Sequence, residues 1–229
     1  MTTLTSVRGM EPWRRRLYLP AYRVSDAARY AGISPQTVAN WHYRQATLGP
    51  ALPGREQRRP LSYLQLVEVA IVAVFRKFGV PLNSIRRTRE YMAQNFESEY
   101  PFAEYKFKTD GYHLLMDLLQ FEPTWDFHKL IVADKGGQLG WERMMEDKLY
   151  EFDYEYDLAI RWHVAGRQSP VIIDPRIAFG APTIEGIPTW ALKGRWKAGE
   201  SIEDIEVDFR LTQEGVKYAL EFEDIRVVS

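Results

Sequence analysis

The chain has no cysteine. A disulfide framework, a thiolate metal site and a cysteine nucleophile are excluded together. Long apolar runs are scarce as well. The best of them, "VEVAIVAVF" at 67–75, is interrupted by Glu68 and followed by Arg76 and Lys77, far too short to span a bilayer. The opening "MTTLTSVRGMEPW" lacks the apolar centre of a secretory leader. These absences predict a soluble, cytoplasmic protein with no membrane partner. Catalytic signatures are missing too. His113, His128 and His163 stand singly in aromatic or apolar surroundings, and no two histidines take metal spacing. Neither a Gly-rich phosphate loop nor a G-x-S-x-G turn occurs. We therefore expect no enzyme, no metal and no cofactor.

What is present is enough for real cores. The 229 residues are 45% hydrophobic, sufficient for one large domain or two to three small ones. The net charge of -1 hides an uneven distribution. Residues 1–95 carry 15 Lys and Arg against 5 Asp and Glu, residues 96–167 carry 8 against 15, and residues 168–229 carry 7 against 11. A basic front suggests a polyanion partner for that part of the chain, with solvated charge as the plain alternative.

Within the basic front, "SDAARYAGISPQTVANWHYR" at 25–44 reads as two short helices around a turn. Val24 to Tyr30 forms the first, with Ser25 as its cap. Gly32 takes the left-handed turn, and Ser34-Pro35 restarts the chain as N-cap and first helical position. Val38 and Trp41 face inward. Gln36, Thr37, Asn40, His42, Tyr43 and Arg44 are left to the outer face or end of the second helix. Gln and Asn can bond adenine edges, Thr can meet a thymine methyl, and Arg can take a phosphate or guanine. This is a helix-turn-helix pattern, although a helical hairpin inside an unrelated fold has the same spacing.

"LGPALPGREQRRPLS" follows, loop-forming and of wing length, with Arg55, Arg58 and Arg59 placed to run along a phosphate backbone. Ser62 and Gln65 make a capping box for a central helix from about Tyr63 to Phe78. Gly79 stops that helix, and Pro81 starts another with Leu82, Ile85 and Met92 inward and Arg86, Arg87 and Arg89 outward. On "YRVSDAARYAGISPQTVANW", the Arg-rich loop and "LSYLQLVEVAIVAVFRKFGVPLNSIRR", residues 22–96 resemble the MerR-type winged-helix DNA-binding domain. That resemblance implies the second helix in the major groove of double-stranded operator DNA and the wing on adjacent backbone. The long dimerising helix of that family has no counterpart at "ESEYPFAEYKF". Residues 1–21 read as a basic arm, with Arg14 to Arg16 suited to a minor groove or to a frayed terminus.

Residues 97–167 read as an acidic α+β middle domain. Asp110-Gly111 and Lys135-Gly136-Gly137 are turn signals, and "GWERMMEDKLYEFDYE" begins as a helix. In "EFDYEYD", Glu151, Asp153, Glu155 and Asp157 alternate and would share one face of a strand. A solvated sheet face explains such a pattern more simply than a Mg²⁺ nuclease site. Tyr105, Phe107, Tyr112, Trp125 and Phe127 could line a ligand pocket or form core.

Residues 168–229 hold a second helix-turn-helix pattern. A strand at 171–173 precedes turns at Asp174-Pro175 and Gly180-Ala181-Pro182, then a helix from Trp190 to Lys197 that Gly199 ends. Ser201 and Thr212 cap two further helices with Ile202, Ile205, Phe209, Val216, Ala219 and Leu220 inward. On "IIDPRIAFGAPTIEGIPT", "KAGESIEDI" and "LTQEGVKYAL", this segment resembles the domain of unknown function 433 found in VapB-type antitoxins. The whole chain then resembles a long VapB-type antitoxin. The resemblance implies a homeodomain-like trihelical fold, neutralisation of a cognate PIN-type ribonuclease toxin and repression of the shared operon. Departures from the family pattern are Gly186-Ile187-Pro188, which lacks a Thr-Arg pair, and Arg210 in place of the turn glycine. Arg210, Gln213 and Lys217 form a second surface, for DNA or for a partner.

The expected fold is mainly α with a small α+β insert: a winged helix-turn-helix plus a carboxy-terminal trihelical helix-turn-helix. The expected function is that of a DNA-binding antitoxin and autorepressor of a type II system, acting as a homodimer. The alternative is a MerR-like transcription regulator whose middle domain senses a small ligand.

Overall fold

The computed structural model describes residues 11–43, 50–52, 58–105, 107–108 and 137–226, with side chains left aside at 137–142. Arg44, Arg55, most of the expected wing, Asp110 to Gly136 and the histidines and aromatics among them lie outside the described residues. The chain is helix-rich with one small antiparallel sheet. It divides into two compact units, one of residues 1–150 with 154–159 and one of residues 151–153 with 160–229. No described helix is long and apolar enough to cross a membrane.

The first unit is built around one buried helix. α1 (Pro12–Arg16) is followed by α2 (Val24–Ala31), α3 (Pro35–His42), α4 (Tyr63–Lys77) and α5 (Leu82–Asn95). A 3-10 turn (Pro101–Ala103) and α6 (Gly137–Tyr150) follow among the described residues. In α4 every residue from Tyr63 to Ala73 is buried, as its nearly all-round apolar sequence predicts. Its start is a reciprocal box: the Ser62 amide donates to Gln65 Oε1 at 2.9 Å, and the Gln65 amide donates to Ser62 Oγ at 3.2 Å. Phe75, Phe102 and Phe107 meet edge to face with centroids 5.1–6.0 Å apart, which fastens the 3-10 turn onto α4.

The segment expected as a free arm is partly integrated. Leu17 is buried, and the Leu64 amide donates to its carbonyl at 3.2 Å. Tyr22 pairs antiparallel with Leu61. The Arg14 guanidinium lies 5.1 Å from the Tyr156 ring centroid and 5.9 Å from that of Trp13, so it covers aromatic faces in this structure.

α2 and α3 are joined by a turn of fixed hydrogen bonding. Gly32 has φ +66°, its amide donates to the Arg29 carbonyl, and the Ile33 amide donates to the Ala28 carbonyl at 3.0 Å. Ser34 Oγ then accepts from the Thr37 amide at 3.1 Å, and Pro35 opens α3. Ala27, Ala28, Val38 and Trp41 are the buried seam. Two expectations fail here. Ser25 is not the cap: α2 begins at Val24, and Asp26 Oδ2 accepts from the Arg23 amide instead. His42 is not outward but buried, beside Trp41, whose carbonyl accepts from the Leu52 amide of the returning chain at 3.0 Å.

The sheet has the strand order β1 (Phe152–Glu155), β2 (Leu158–Trp162), β3 (Ile172–Ile173), β4 (Pro182–Ile184), β5 (Ile187–Pro188). In the second unit Trp162 pairs with Ile173, Ile173 with Pro182, and Ile184 with Ile187. α7 (Thr189–Lys197), α8 (Ile202–Phe209) and α9 (Gln213–Phe222) follow. Leu192, Ile202, Ile205, Leu211, Val216, Ala219 and Leu220 close a core with Val171 and Ile184. The carboxy-terminal caps stand as expected: Ser201 Oγ accepts from the Asp204 amide at 3.1 Å, and Thr212 Oγ1 from the Gly215 amide at 3.0 Å.

The run "EFDYEYD" is not one strand. Tyr156 and Asp157 both take positive φ, +50° and +63°, and turn the chain into a two-residue hairpin. The alternation of acids therefore ends at Glu155. Likewise Gly137 is no turn but the first residue of α6.

Candidate functional site

α3 presents an exposed polar edge. Gln36 and Asn40 are exposed and Thr37 is half-buried. Their spacing of four puts Gln36 and Asn40 on one helix face, where Gln36 Nε2 donates to Asn40 Oδ1 at 2.8 Å. Thr37 Oγ1 is 2.8 Å from Ser34 Oγ, so its hydroxyl is engaged by the cap. Tyr43 follows the helix end and is 38% exposed. Arg58 and Arg59 are exposed after the undescribed part of the loop, Arg58 at φ +67°. This edge can offer amide donors and acceptors to a base edge, with guanidinium charge on the same unit.

The outward row predicted on α5 is only partly present. Arg87 is exposed, but Arg86 is 8% exposed and donates from Nη1 to Asn83 Oδ1 at 2.8 Å. Burial holds its pKa below the usual guanidinium value. Arg89 turns inward to Glu68: its Nε is 3.3 Å from Glu68 Oε2, and Nη2 donates to the Glu99 carbonyl. Glu68 is fully buried, and its Oε1 accepts from the Phe102 amide at 3.2 Å. Burial raises the Glu68 pKa to about 7, against the pull of Arg89 and of the Phe102 amide. Sequence reading saw Glu68 only as an interruption of an apolar run. An acid inside such a run was the available signal for a buried, paired carboxylate.

The second unit holds an ion network that no motif announced. Asp174 is fully buried and receives Arg176 through Nη2 at 2.7 Å and through the backbone amide at 2.8 Å. Arg161 Nε reaches the same carboxylate at 3.3 Å, while its Nη1 reaches Asp153 Oδ2 at 3.3 Å. Arg167 Nη2 is 2.7 Å from Asp153 Oδ1. His163 Nε2 lies 2.8 Å from Arg167 Nη1 and 3.2 Å from Asp153 Oδ2. Nε2 accepts from Arg167 when the ring hydrogen is on Nδ1 and donates to Asp153 when Nε2 itself carries hydrogen. Burial pushes both aspartates up, but the hydrogen bonds from Arg176 to Asp174, and from Arg167 and His163 to Asp153, prevail and hold them below the usual carboxylate range. Asp153, expected on a solvated face, is instead the hub of this network. Among the described residues no cluster of His, Asp or Glu is arranged to hold a metal.

At the carboxy-terminal turn Arg210 is exposed in the left-handed region, φ +55°. Gln213 is exposed and Lys217 half-buried on α9. Glu203, Asp204, Asp208 and Glu214 are exposed on the same helix pair. Arg195 joins Glu200 and Asp208, and Glu223 accepts from Thr189 Oγ1 at 2.6 Å and Lys193 Nζ at 3.2 Å. The edge is acidic overall, unlike that of α3.

Residues 171–222 match the family described as "Protein of unknown function (DUF433)". A curated relative, "Putative antitoxin VapB45" of Mycobacterium tuberculosis, is 24% identical over 228 residues, covering 90% of this chain and 95% of its own. The crystal structure of Rv2018 from the same organism superimposes with a TM-score of 0.72 at 20% identity, over 90% of this chain and 99% of that one. The chain thus shares its fold with that structure nearly end to end.

Proposed function

We propose that this protein is the DNA-binding antitoxin of a type II toxin–antitoxin system. It neutralises a PIN-type ribonuclease toxin and represses its own operon, acting as a homodimer and without catalysis. The observation that carries the antitoxin reading is similarity to the VapB45 protein across 90% of the chain, not only across the family-matched segment. The DNA half of the proposal is supported by α3, whose exposed Gln36 and Asn40 lie on a unit that also bears exposed Arg58 and Arg59. The helix face turned to the bases is that of Gln36, Thr37 and Asn40, with Tyr43, Arg44, Arg55, Arg58 and Arg59 on backbone. Arg210, Gln213 and Lys217 belong to the surface that meets the toxin or a second protomer, because acids surround them and phosphates repel acids.

The test has two arms. Expression of the neighbouring open reading frame alone should arrest growth, and coexpression with this protein should restore it and yield a copurifying complex. A gel shift with the protein's own upstream DNA should show a band that weakens as salt rises. A neighbour whose toxicity is unchanged by coexpression overturns the antitoxin reading. Absence of any shift at low salt overturns autorepression.

A further inference from the structure

We infer that Gln36 and Asn40 read one adenine as a coupled pair, in which Gln36 makes both base contacts and Asn40 is its positioning residue. The inference rests on the DNA-binding reading above and assigns that surface its specificity. A carboxamide carries one acceptor oxygen and two N–H donors. One Gln36 N–H is committed to Asn40 Oδ1 at 2.8 Å. Among the described residues neither amide has another polar partner. Gln36 therefore keeps one donor and its Oε1 acceptor. That is the complement of adenine, which shows the N7 acceptor and the N6 donor side by side in the major groove. Guanine shows two acceptors there, N7 and O6, and asks for two donors. A free glutamine can supply two; this one, with a hydrogen held by Asn40, supplies one. Asn40 thus turns an adaptable amide into an adenine reader and also removes some of the rotamer freedom that docking would otherwise cost.

Neighbouring side chains leave the task to this pair. Thr37 Oγ1 is taken up by Ser34, and Trp41 and His42 are buried. The exposed edge of α3 then holds one amide couple rather than three independent readers.

The full-length protein is used to select binders from a pool of randomised duplexes, and affinities are measured by anisotropy on the selected sequence. One position should lose about ten-fold or more on A→G exchange, and by a similar factor on replacement by 7-deazaadenine, which lacks N7. Gln36→Ala should abolish that preference. Asn40→Ala should lower A-over-G discrimination at the same position. Asn40→Asp keeps the acceptor oxygen and should keep the preference, with weaker overall affinity from its added charge. If Asn40→Asp matches Asn40→Ala, or if the two residues affect different base pairs, the coupled reading is overturned while DNA binding stands. If the unaltered protein selects no sequence above non-specific binding, the DNA-binding reading falls with it. Gln36 and Asn40 are exposed, and circular dichroism of each variant checks that the fold is kept.

Discussion

Glu68 sits in the middle of α4 with no exposed surface, held by Arg89 and the Phe102 amide. Its ordinary pKa of 4.5 rises to about 7 in the fold. Between these values the unfolded chain releases a proton that the folded chain keeps, so this group makes stability fall as pH rises, levelling off above about 7. Glu68→Gln keeps an acceptor for Phe102 and removes the titration. We expect the melting-temperature difference, variant minus parent, to be greater at about pH 8 than at about pH 5. Equal differences at both pH values would show that Glu68 does not titrate in this window. Asp153 and Asp174 act elsewhere: their lowered values supply stability above the usual carboxylate range that is lost only in stronger acid. Such buried ions were legible as residues but not as partners. Arg89 lies 21 positions from Glu68, and Arg161 lies 13 from Asp174.

The two short helical pairs use one device. In α2–α3 and in α8–α9 a left-handed residue, an apolar residue whose amide bonds back to the preceding helix, and a hydroxyl cap follow one another: Gly32-Ile33-Ser34 and Arg210-Leu211-Thr212. At Gly32 no heavy atom lies within 4 Å of an added Cβ, so Gly32→Ala tests backbone conformation alone. It should destabilise by about 1–2 kcal/mol in denaturant melts, the cost of holding a side chain in the left-handed region. Arg210→Gly should act in the opposite sense by up to about 1 kcal/mol, since strain relief outweighs the added freedom of the unfolded chain. A neutral or destabilising Arg210→Gly would mean that the arginine side chain contributes more than its backbone costs. Both turns were legible locally because a hydroxyl cap and the apolar spacing, and at position 32 a glycine, each act within a few residues. The Tyr156-Asp157 hairpin was not, because nothing in that dipeptide resembles Asn-Gly.

Across the molecule, charge is divided along the chain even though the total is -1. If the basic first 95 residues meet DNA, binding must be polyelectrolyte in character. Each phosphate contact contributes about 0.9 to the slope of log K against log salt. Arg59→Ala should therefore lower the slope by about 1 and weaken all duplexes alike, whereas Gln36→Ala should leave the slope unchanged and weaken one sequence. Titrations at several salt concentrations separate the two. An unchanged slope in Arg59→Ala would remove that residue from the phosphate surface. The fold itself is shared with the Rv2018 structure at 20% identity.

By itself the sequence determined α4 and its capping box, the turns and caps that open α3, α8 and α9, and the buried seam of each helical pair, but not α1 or the starts of α2 and α6. Periodicity, caps and left-handed turns are local, and each leaves its mark within one or two turns of chain. Tertiary structure decided which charges are surface and which are structural. It turned Arg86 and Arg89 inward, buried His42, split the acidic run at Tyr156 and gathered Asp153, Arg161, Asp174 and Arg176 into one network. Glu68 meets Arg89, and Asp174 meets Arg161, as partners brought from elsewhere in the chain, and such partners are fixed by packing rather than by spacing.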